Sequence, residues 1–379
     1  MESHAPWQVG SKAILSVTGL GDLLGRLWAG GRQVVGPVVR DGAICLGPVR
    51  TIADLPKGLT DEHGPGTYRL KPRGDEALFG FTVGQHAFKR SILLPEVALV
   101  QLRRKGRDVE VEPATPKTQP LALLGVRACD AAALGIQDKV LCGGPYADSD
   151  YEARRADVLV IAVQCTNAAS TCFCASMGTG PHLSNGFDLA LTELLSPTHR
   201  FLVEVGSPAG ATLANQLELT PVSEGDLSDA KTAEQAALTQ MGRHLETAGL
   251  REKLQQNPDD SHWENVANRC LSCANCTMVC PTCFCTTMED RTDLTGDIAT
   301  RIRRYDSCFS EAFAYVHGGS VRPTVRARYR QWLTHKLSTW VDQFGSLGCV
   351  GCGRCITFCP VGIDITAEAK AVGAPARTG

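Results

Sequence analysis

The sequence predicts an α+β chain, with a mixed α/β N-terminal part and a cysteine-rich, helix-compatible C-terminal part. Three observations carry this. Short apolar runs alternate with helix-compatible segments up to residue 225. A polar stretch with helical spacing follows. Beyond it, cysteines recur at one fixed spacing in two places. The length of 379 residues suits two or three domains at about 150 residues each.

Residues 11–28 place Ile14, Leu15, Leu20, Leu23, Leu24 and Leu27 on one helical face. Residues 33–48 hold two β-rich runs around Asp41-Gly42, a hairpin signal. Further apolar runs lie at 78–83 and 92–102. The charged segment 104–119, with Pro113 and Pro116, reads as a loop. The run LALLGV (121–126), a helical segment from Asp130 to Leu141, DVLVIAVQ (157–164) and Phe201–Val205 complete an N-terminal α/β domain over 1–225. Residues 226–262 read as a helical connector, since 226–256 lacks Pro and keeps apolar residues at helical intervals. Asn257–Ser261 ends it and can cap the next helix. The third domain spans 263–370; its Arg-rich middle, 287–345, is helix-compatible, and 371–379 reads as a flexible tail.

Net charge is −2, which gives no reason to expect nucleic acid as a partner. No run of about 18 apolar residues exists, so no membrane-spanning helix is expected. The opening MESHAPWQVG lacks a basic and an apolar signal region, and a cytoplasmic location is expected. In that reducing setting 17 cysteines, an odd number, point to metal ligation rather than to disulfides.

Eleven of the cysteines lie between Cys270 and Cys359. Residues 270–281 read CLSCANCTMVCP and residues 349–360 read CVGCGRCITFCP. Both match C-x2-C-x2-C-x3-C-P, the run of bacterial two-cluster ferredoxins. Three thiolates two residues apart can wrap one cubane cluster from a tight loop. The fourth points away and serves the other cluster. The spacing therefore assigns Cys270, Cys273, Cys276 and Cys359 to one [4Fe-4S] cluster, and Cys349, Cys352, Cys355 and Cys280 to a second. Structural zinc is the bland alternative, but it uses two pairs of ligands rather than two runs of four ending in Pro. The 68 residues from Pro281 to Gly348 suit an α-helical two-cluster ferredoxin domain, in which helices flank both loops.

Nine cysteines fall outside these runs. Cys129 follows LALLGV and Cys165 follows DVLVIAVQ, so both are expected at carboxyl ends of strands, where open α/β sheets hold ligands. Cys172 and Cys174 lie close by in a TCFC element that recurs as Thr282–Cys285. Four thiolates, Cys129, Cys165, Cys172 and Cys174, could hold a third cluster; equally, they could be small buried hydrophobes. Cys45 and Cys142 read as core, and Cys308 as a helix core residue. Cys283 and Cys285 could hydrogen-bond the second cluster through their amides. Tyr151, Arg154 and Arg155 could be polar partners of an N-terminal site. Gly19-Leu20-Gly21-Asp22-Leu23-Leu24-Gly25 is not the dinucleotide fingerprint, and no phosphate loop is present. Nothing supplies a nucleophile, an acid/base pair or an open metal site.

GVRACD (Gly125–Asp130), CTNAASTCFCASMGTGP (Cys165–Pro181), GFDLALTEL and the two ferredoxin runs together resemble the beta subunit of cytoplasmic NAD(P)-linked [NiFe] hydrogenases, or sulfhydrogenases. The pattern is equally similar to the electron-transfer subunit of anaerobic sulfite reductase. The likeness covers roughly residues 120–366, with Ala128 where Pro would be expected. It implies a non-catalytic electron-transfer subunit lying between a flavin- and NAD(P)-binding subunit and a catalytic metallosubunit of a soluble hetero-oligomer. That partner would carry nickel–iron or sirohaem. The resemblance also favours the third [4Fe-4S] cluster. A non-redox zinc scaffold is the remaining alternative.

Overall fold

The computed structural model describes residues 6–114 and 118–374. Its main strands are β1 (Lys12–Ser16), β2 (Gln33–Arg40), β3 (Ala43–Pro48), β4 (Leu59–Gly64), β5 (Thr67–Pro72), β6 (Glu96–Lys105), β7 (Asp108–Pro113), β8 (Leu121–Val126), β9 (Val158–Val163), β10 (Leu189–Leu194), β11 (Arg200–Val205), β12 (Leu219–Pro221), β13 (Thr286–Thr292) and β14 (Ile298–Tyr305). Eight of them form one mixed sheet in the order β12-β1-β11-β10-β9-β8-β2-β3. The centre, β2-β8-β9-β10, is parallel; both flanks are antiparallel. Parallel strands are covered on both faces, and LALLGV and LALTEL are accordingly almost wholly buried.

The helix Val17–Ala29 lays Leu20, Leu23, Leu24 and Leu27 on one face, against Leu124, Ile161 and Leu191. The helix Ala128–Leu141 covers the other face with Ala131 and Leu134, against Leu123, Val160 and Ala190. The predicted 11–28 helix is in fact strand then helix. Leu15 belongs to β1, and the Ser16 hydroxyl accepts from the Gly19 N–H at 3.0 Å to start the helix. The Asp41-Gly42 hairpin forms as expected, with φ of 50° and 70°. The 78–83 run is not a strand. Its Leu78 and Phe79 amides donate to the buried Glu193 carboxylate at 2.6 and 2.9 Å, and Arg127 donates to the Phe79 and Phe81 carbonyls. Strand β10, which carries Glu193, was not anticipated from sequence.

The connector departs from expectation. A helix starts at Glu224 under a Ser223–Asp226 capping box and stops at Gln240. Residues 241–248 are non-helical, and a short helix, Leu250–Gln256, follows. Tertiary contacts explain the break. Arg243 reaches Asp364 at 2.5 Å and the Ser170 carbonyl at 3.1 Å, and Gly242 lies so close to Ser170 that a Cβ would meet its carbonyl oxygen at 2.5 Å. The next helix, His262–Arg269, has Ser261 at its N-cap with no side-chain cap bond; the preceding Asp260 carboxylate accepts from the His262 N–H at 2.7 Å.

The insert 281–348 is helical mainly in its C-terminal part, from Val325 to Phe344. Residues 286–305 form the hairpin β13–β14, which joins β6 and β7 in a sheet of order β13-β14-β6-β7. One sheet is thus built from both halves of the chain. Within the hairpin Arg301 and Arg304 pair with Asp290 and Glu289, and the buried Arg303 pairs with Asp148. The loop read at 104–119 contains β7, with residues 115–117 outside the described region. Downstream, the helix Val325–Thr334 opens into a π turn at His335–Thr339 and continues through Trp340–Phe344. Tyr329, Trp332, Leu333 and Leu337 pack on Trp263, Phe309, Ile356 and Ile363. Of the expected tail, residues 375–379 lie outside the described residues. Among the described residues no helix is long and apolar enough to cross a membrane.

Candidate metal centre

The first ferredoxin run leaves the helix His262–Arg269 and curls at once. Ser272 and Ala274 take φ of 53° and 65°, a left-handed backbone that curls the loop tightly. Cys270, Cys273, Cys276 and Cys359 line a common cavity with Phe309, Tyr329 and Trp332, and Cys355 of the second run borders it too. The Ser272 N–H donates to Cys270 Sγ at 3.4 Å and the Ile363 N–H to Cys359 Sγ at 3.3 Å. Burial pushes the Cys276 thiol well up, and Cys270, Cys359, Cys273 and Cys280 add to the effect. Four soft sulfur donors facing one apolar space with N–H groups behind them fit an iron–sulfur cluster. They would hold it through thiolates, a form that burial disfavours at Cys270 and Cys276 in the free protein.

The second run repeats the curl at Gly351 and Gly353, with φ of 64° and 73°. Here the loop is pressed against Thr171–Cys174. A Cβ on Gly353 would lie 2.5 Å from the Thr171 carbonyl oxygen, and one on Gly351 would lie 2.6 Å from the Cys174 nitrogen. The Phe173 N–H donates to the Gly351 carbonyl at 2.8 Å. Cys349, Cys352 and Cys355 are electrostatic neighbours of Cys280, which reaches them from the end of the first run. Two buried lysines face this group. Lys336, on the π turn, donates to Thr282 Oγ1 at 2.8 Å and to the Gly348 carbonyl at 3.2 Å. Lys89 donates to the Cys283 carbonyl at 2.8 Å. Among the described residues neither ammonium is paired with a carboxylate; their nearest groups of opposite charge are the cysteines, Cys280 and Cys283 first. Cys280 is held well below the ordinary thiol range by a hydrogen bond from the Cys283 thiol, with Lys336 and Lys89 adding to it.

Cys129, Cys165, Cys172 and Cys174 also come together. Cys129 opens the helix after β8, and Cys165 follows β9, so both sit at carboxyl ends of parallel strands. Burial raises the Cys165 thiol, and Arg127 beside it works in the opposite direction. Cys172 and Cys174 hang from the loop that packs on the second run, and Thr179 Oγ1 donates to the Val350 carbonyl at 2.7 Å. Burial raises Cys172 to about 12, with Cys165 and Cys352 among the neighbours adding to the rise. Cys352 is also a neighbour of Cys129 and Cys174, so this group abuts the second one. Across the second group, Cys355 neighbours Cys276 of the first.

Several expectations change. Cys308 lies in the loop after β14, not in a helix, and its thiol is hydrogen-bonded to that of Cys285. Cys283 and Cys285 engage through their carbonyls, toward Lys89 and the Asp306 N–H, and through their thiols. Tyr151 and Arg155 bind Asp138, and Arg154 pairs with Asp150. These contacts fasten the helix Ser149–Arg155 and do not form a site. Cys45 is core as expected, while Cys142 ends the helix Ala128–Leu141 half-buried. Sequence reasoning missed the buried charges Lys89, Lys336, Asp130 and Arg354. A single charged residue in an apolar stretch carries no local signal of what it will face. Among the described residues no three Cys, His, Asp or Glu side chains close on a point as one metal ion would require.

A family profile described as "4Fe-4S dicluster domain" matches residues 269–363. The beta subunit of sulfhydrogenase 2 from Pyrococcus furiosus is 37% identical over 282 residues, which cover 73% of this chain and 82% of that protein. No solved structure matches. The two ferredoxin runs lie wholly inside the dicluster domain, and the likeness extends well beyond it. The chain belongs to the family of sulfhydrogenase beta subunits.

Proposed function

We propose that this chain is the iron–sulfur relay subunit of a cytoplasmic hetero-oligomeric hydrogenase. In this reading it carries electrons between a flavin- and NAD(P)-binding subunit and a [NiFe] catalytic subunit. The observation that carries the reading is the contiguity of three groups of four thiols, each abutting the next. We assign Cys270, Cys273, Cys276 and Cys359 to a first [4Fe-4S] cluster, and Cys349, Cys352, Cys355 and Cys280 to a second. Cys129, Cys165, Cys172 and Cys174 are assigned to a third. Bound clusters would supply one-electron chemistry.

The chain's own residues do the rest. The left-handed loops aim the thiols, the Ser272, Gly351 and Ile363 N–H groups donate to cysteine sulfurs, and the buried lysines offset negative charge at the second group. Tyr329, Trp332 and Phe309 keep water from the inner side of the first. We also propose that 1–225 and 263–370 act as the two cluster-bearing domains, joined through 226–262.

The test is metal analysis of the native complex isolated under argon through this chain. Nickel together with iron and acid-labile sulfide, about twelve irons per copy of this chain beyond those of its partners, supports the assignment. A colourless chain holding zinc would sink it. Sirohaem in place of nickel would move it to sulfite reduction.

A further inference from the structure

Asp130 and Arg354 form a fully buried ion pair. Arg354 Nη1 lies 2.9 Å from Asp130 Oδ1, and Arg354 Nη2 lies 3.1 Å from Asp130 Oδ2. Both side chains are about 3% exposed or less. The guanidinium is held further by the Gly84 carbonyl at 2.9 Å and the His86 carbonyl at 3.4 Å, so it cannot swing away.

The placement is asymmetric. Arg354 sits inside the second ferredoxin run, between Cys352 and Cys355. Asp130 directly follows Cys129 at the start of its helix. The pair therefore lies across the boundary between two thiol groups, its positive end in one loop and its negative end beside the other. Fixed charge near a cluster sets its potential, and its effect is large where water is excluded.

We propose that the Asp130–Arg354 ion pair acts as a fixed dipole between two neighbouring clusters. It holds the cluster of Cys349, Cys352, Cys355 and Cys280 at a higher potential than the cluster of Cys129, Cys165, Cys172 and Cys174. Electrons then run downhill from the N-terminal domain into the ferredoxin domain. Both are positioning residues that touch no substrate, and the inference rests on the three-cluster reading above.

The experiment is an EPR-monitored redox titration of the holo-complex. Arg354→Gln is expected to shift the second cluster to more negative potential, by more than any other cluster. Asp130→Asn is expected to shift the N-terminal cluster to more positive potential. The two variants move in opposite directions, yet both narrow the gap between the same two clusters. The cluster of Cys270, Cys273, Cys276 and Cys359 should not move. A structural role alone would not produce opposite signs.

Breaking one member of a buried pair can unfold a protein, whereas replacing both with apolar residues is tolerated better. Asp130→Leu with Arg354→Met is therefore measured alongside, and it too should narrow the gap. Equal shifts at all clusters, shifts of one sign in both single variants, or an unchanged gap in the double variant would overturn the proposal. Iron for only two clusters in the unaltered chain, about eight atoms, would overturn it through the reading beneath it, and that result is visible before any variant is made.

Discussion

The loops 270–281 and 349–360 share one cysteine spacing and one backbone curl, yet they live in opposite surroundings. The first is turned outward: Cys273 is exposed and Leu271 is 63% exposed. The second is sealed: Val350 and Arg354 are 2% exposed and Cys352 9%. Both need a left-handed backbone two and four residues after their first cysteine. The outer loop meets the need with Ser272 and Ala274, both half-buried. The inner loop uses Gly351 and Gly353, because a Cβ would strike Thr171–Cys174. The difference teaches that the spacing sets the ligand geometry, while the residues between ligands record what packs against the loop.

The sharpest break of the comparison is the crossed ligand. Cys280→Ser is expected to cost about four irons per chain, and the EPR signal lost should be that of the inner cluster, although Cys280 lies in the outer run. Loss of the signal that Cys276→Ser abolishes would refute the crossing. Next in size is Gly353→Ala, expected to destabilise by about 1–3 kcal/mol through strain and collision with the Thr171 carbonyl. Ala274→Gly, at the equivalent outer position, should stay within about 0.5 kcal/mol, because relief at positive φ offsets added freedom in the unfolded chain. Thermal unfolding of the two variants side by side decides whether the loops differ as described.

A smaller effect is expected from Lys336→Met. It should lower the inner cluster's potential by about a tenfold change in its reduction equilibrium, ~59 mV for one electron, and leave the outer one in place. Equal shifts in both would show that Lys336 does not distinguish the loops. The smallest is Asp226→Asn, remote from both. Its carboxyl is held down at about 2, first by the Ser223 hydroxyl hydrogen bond, then by the Ser223 N–H and Arg200. A folded-state value below the unfolded one stabilises at neutral pH, and the benefit fades as pH falls from about 4 through 2. The variant's stability deficit in chemical denaturation should fade over that interval, with neither cluster signal disturbed.

The ligand runs were legible because their meaning is local. Four cysteines within eleven residues specify a loop whatever surrounds them. Cys129, Cys165, Cys172 and Cys174 were legible more weakly, through the strands before the first two. The strands at 286–305 were not. Arg301, Arg303 and Arg304 suit a helix surface equally well, and only pairing with β6, nearly two hundred residues earlier, makes them a sheet. The connector failed for the same reason. Residues 241–248 have acceptable helix propensity, but Arg243 is drawn to Asp364 and Gly242 to Ser170. Lys89 and Lys336 were invisible because a buried cation is justified only by the thiols it faces.

The sheet β13-β14-β6-β7 also dictates an order of events during synthesis. The hairpin of β6 and β7 emerges early, and its β6 edge must wait for residues 286–305 before it is covered. The cavity at Cys270 waits longer, since Cys359, which lines it, follows the sixteen other cysteines in this sequence. A nascent chain therefore displays most of its thiols before the group of four around that cavity is complete. That group closes only once Cys359 has emerged, and a product truncated before it would be left with an open, oxidisable loop.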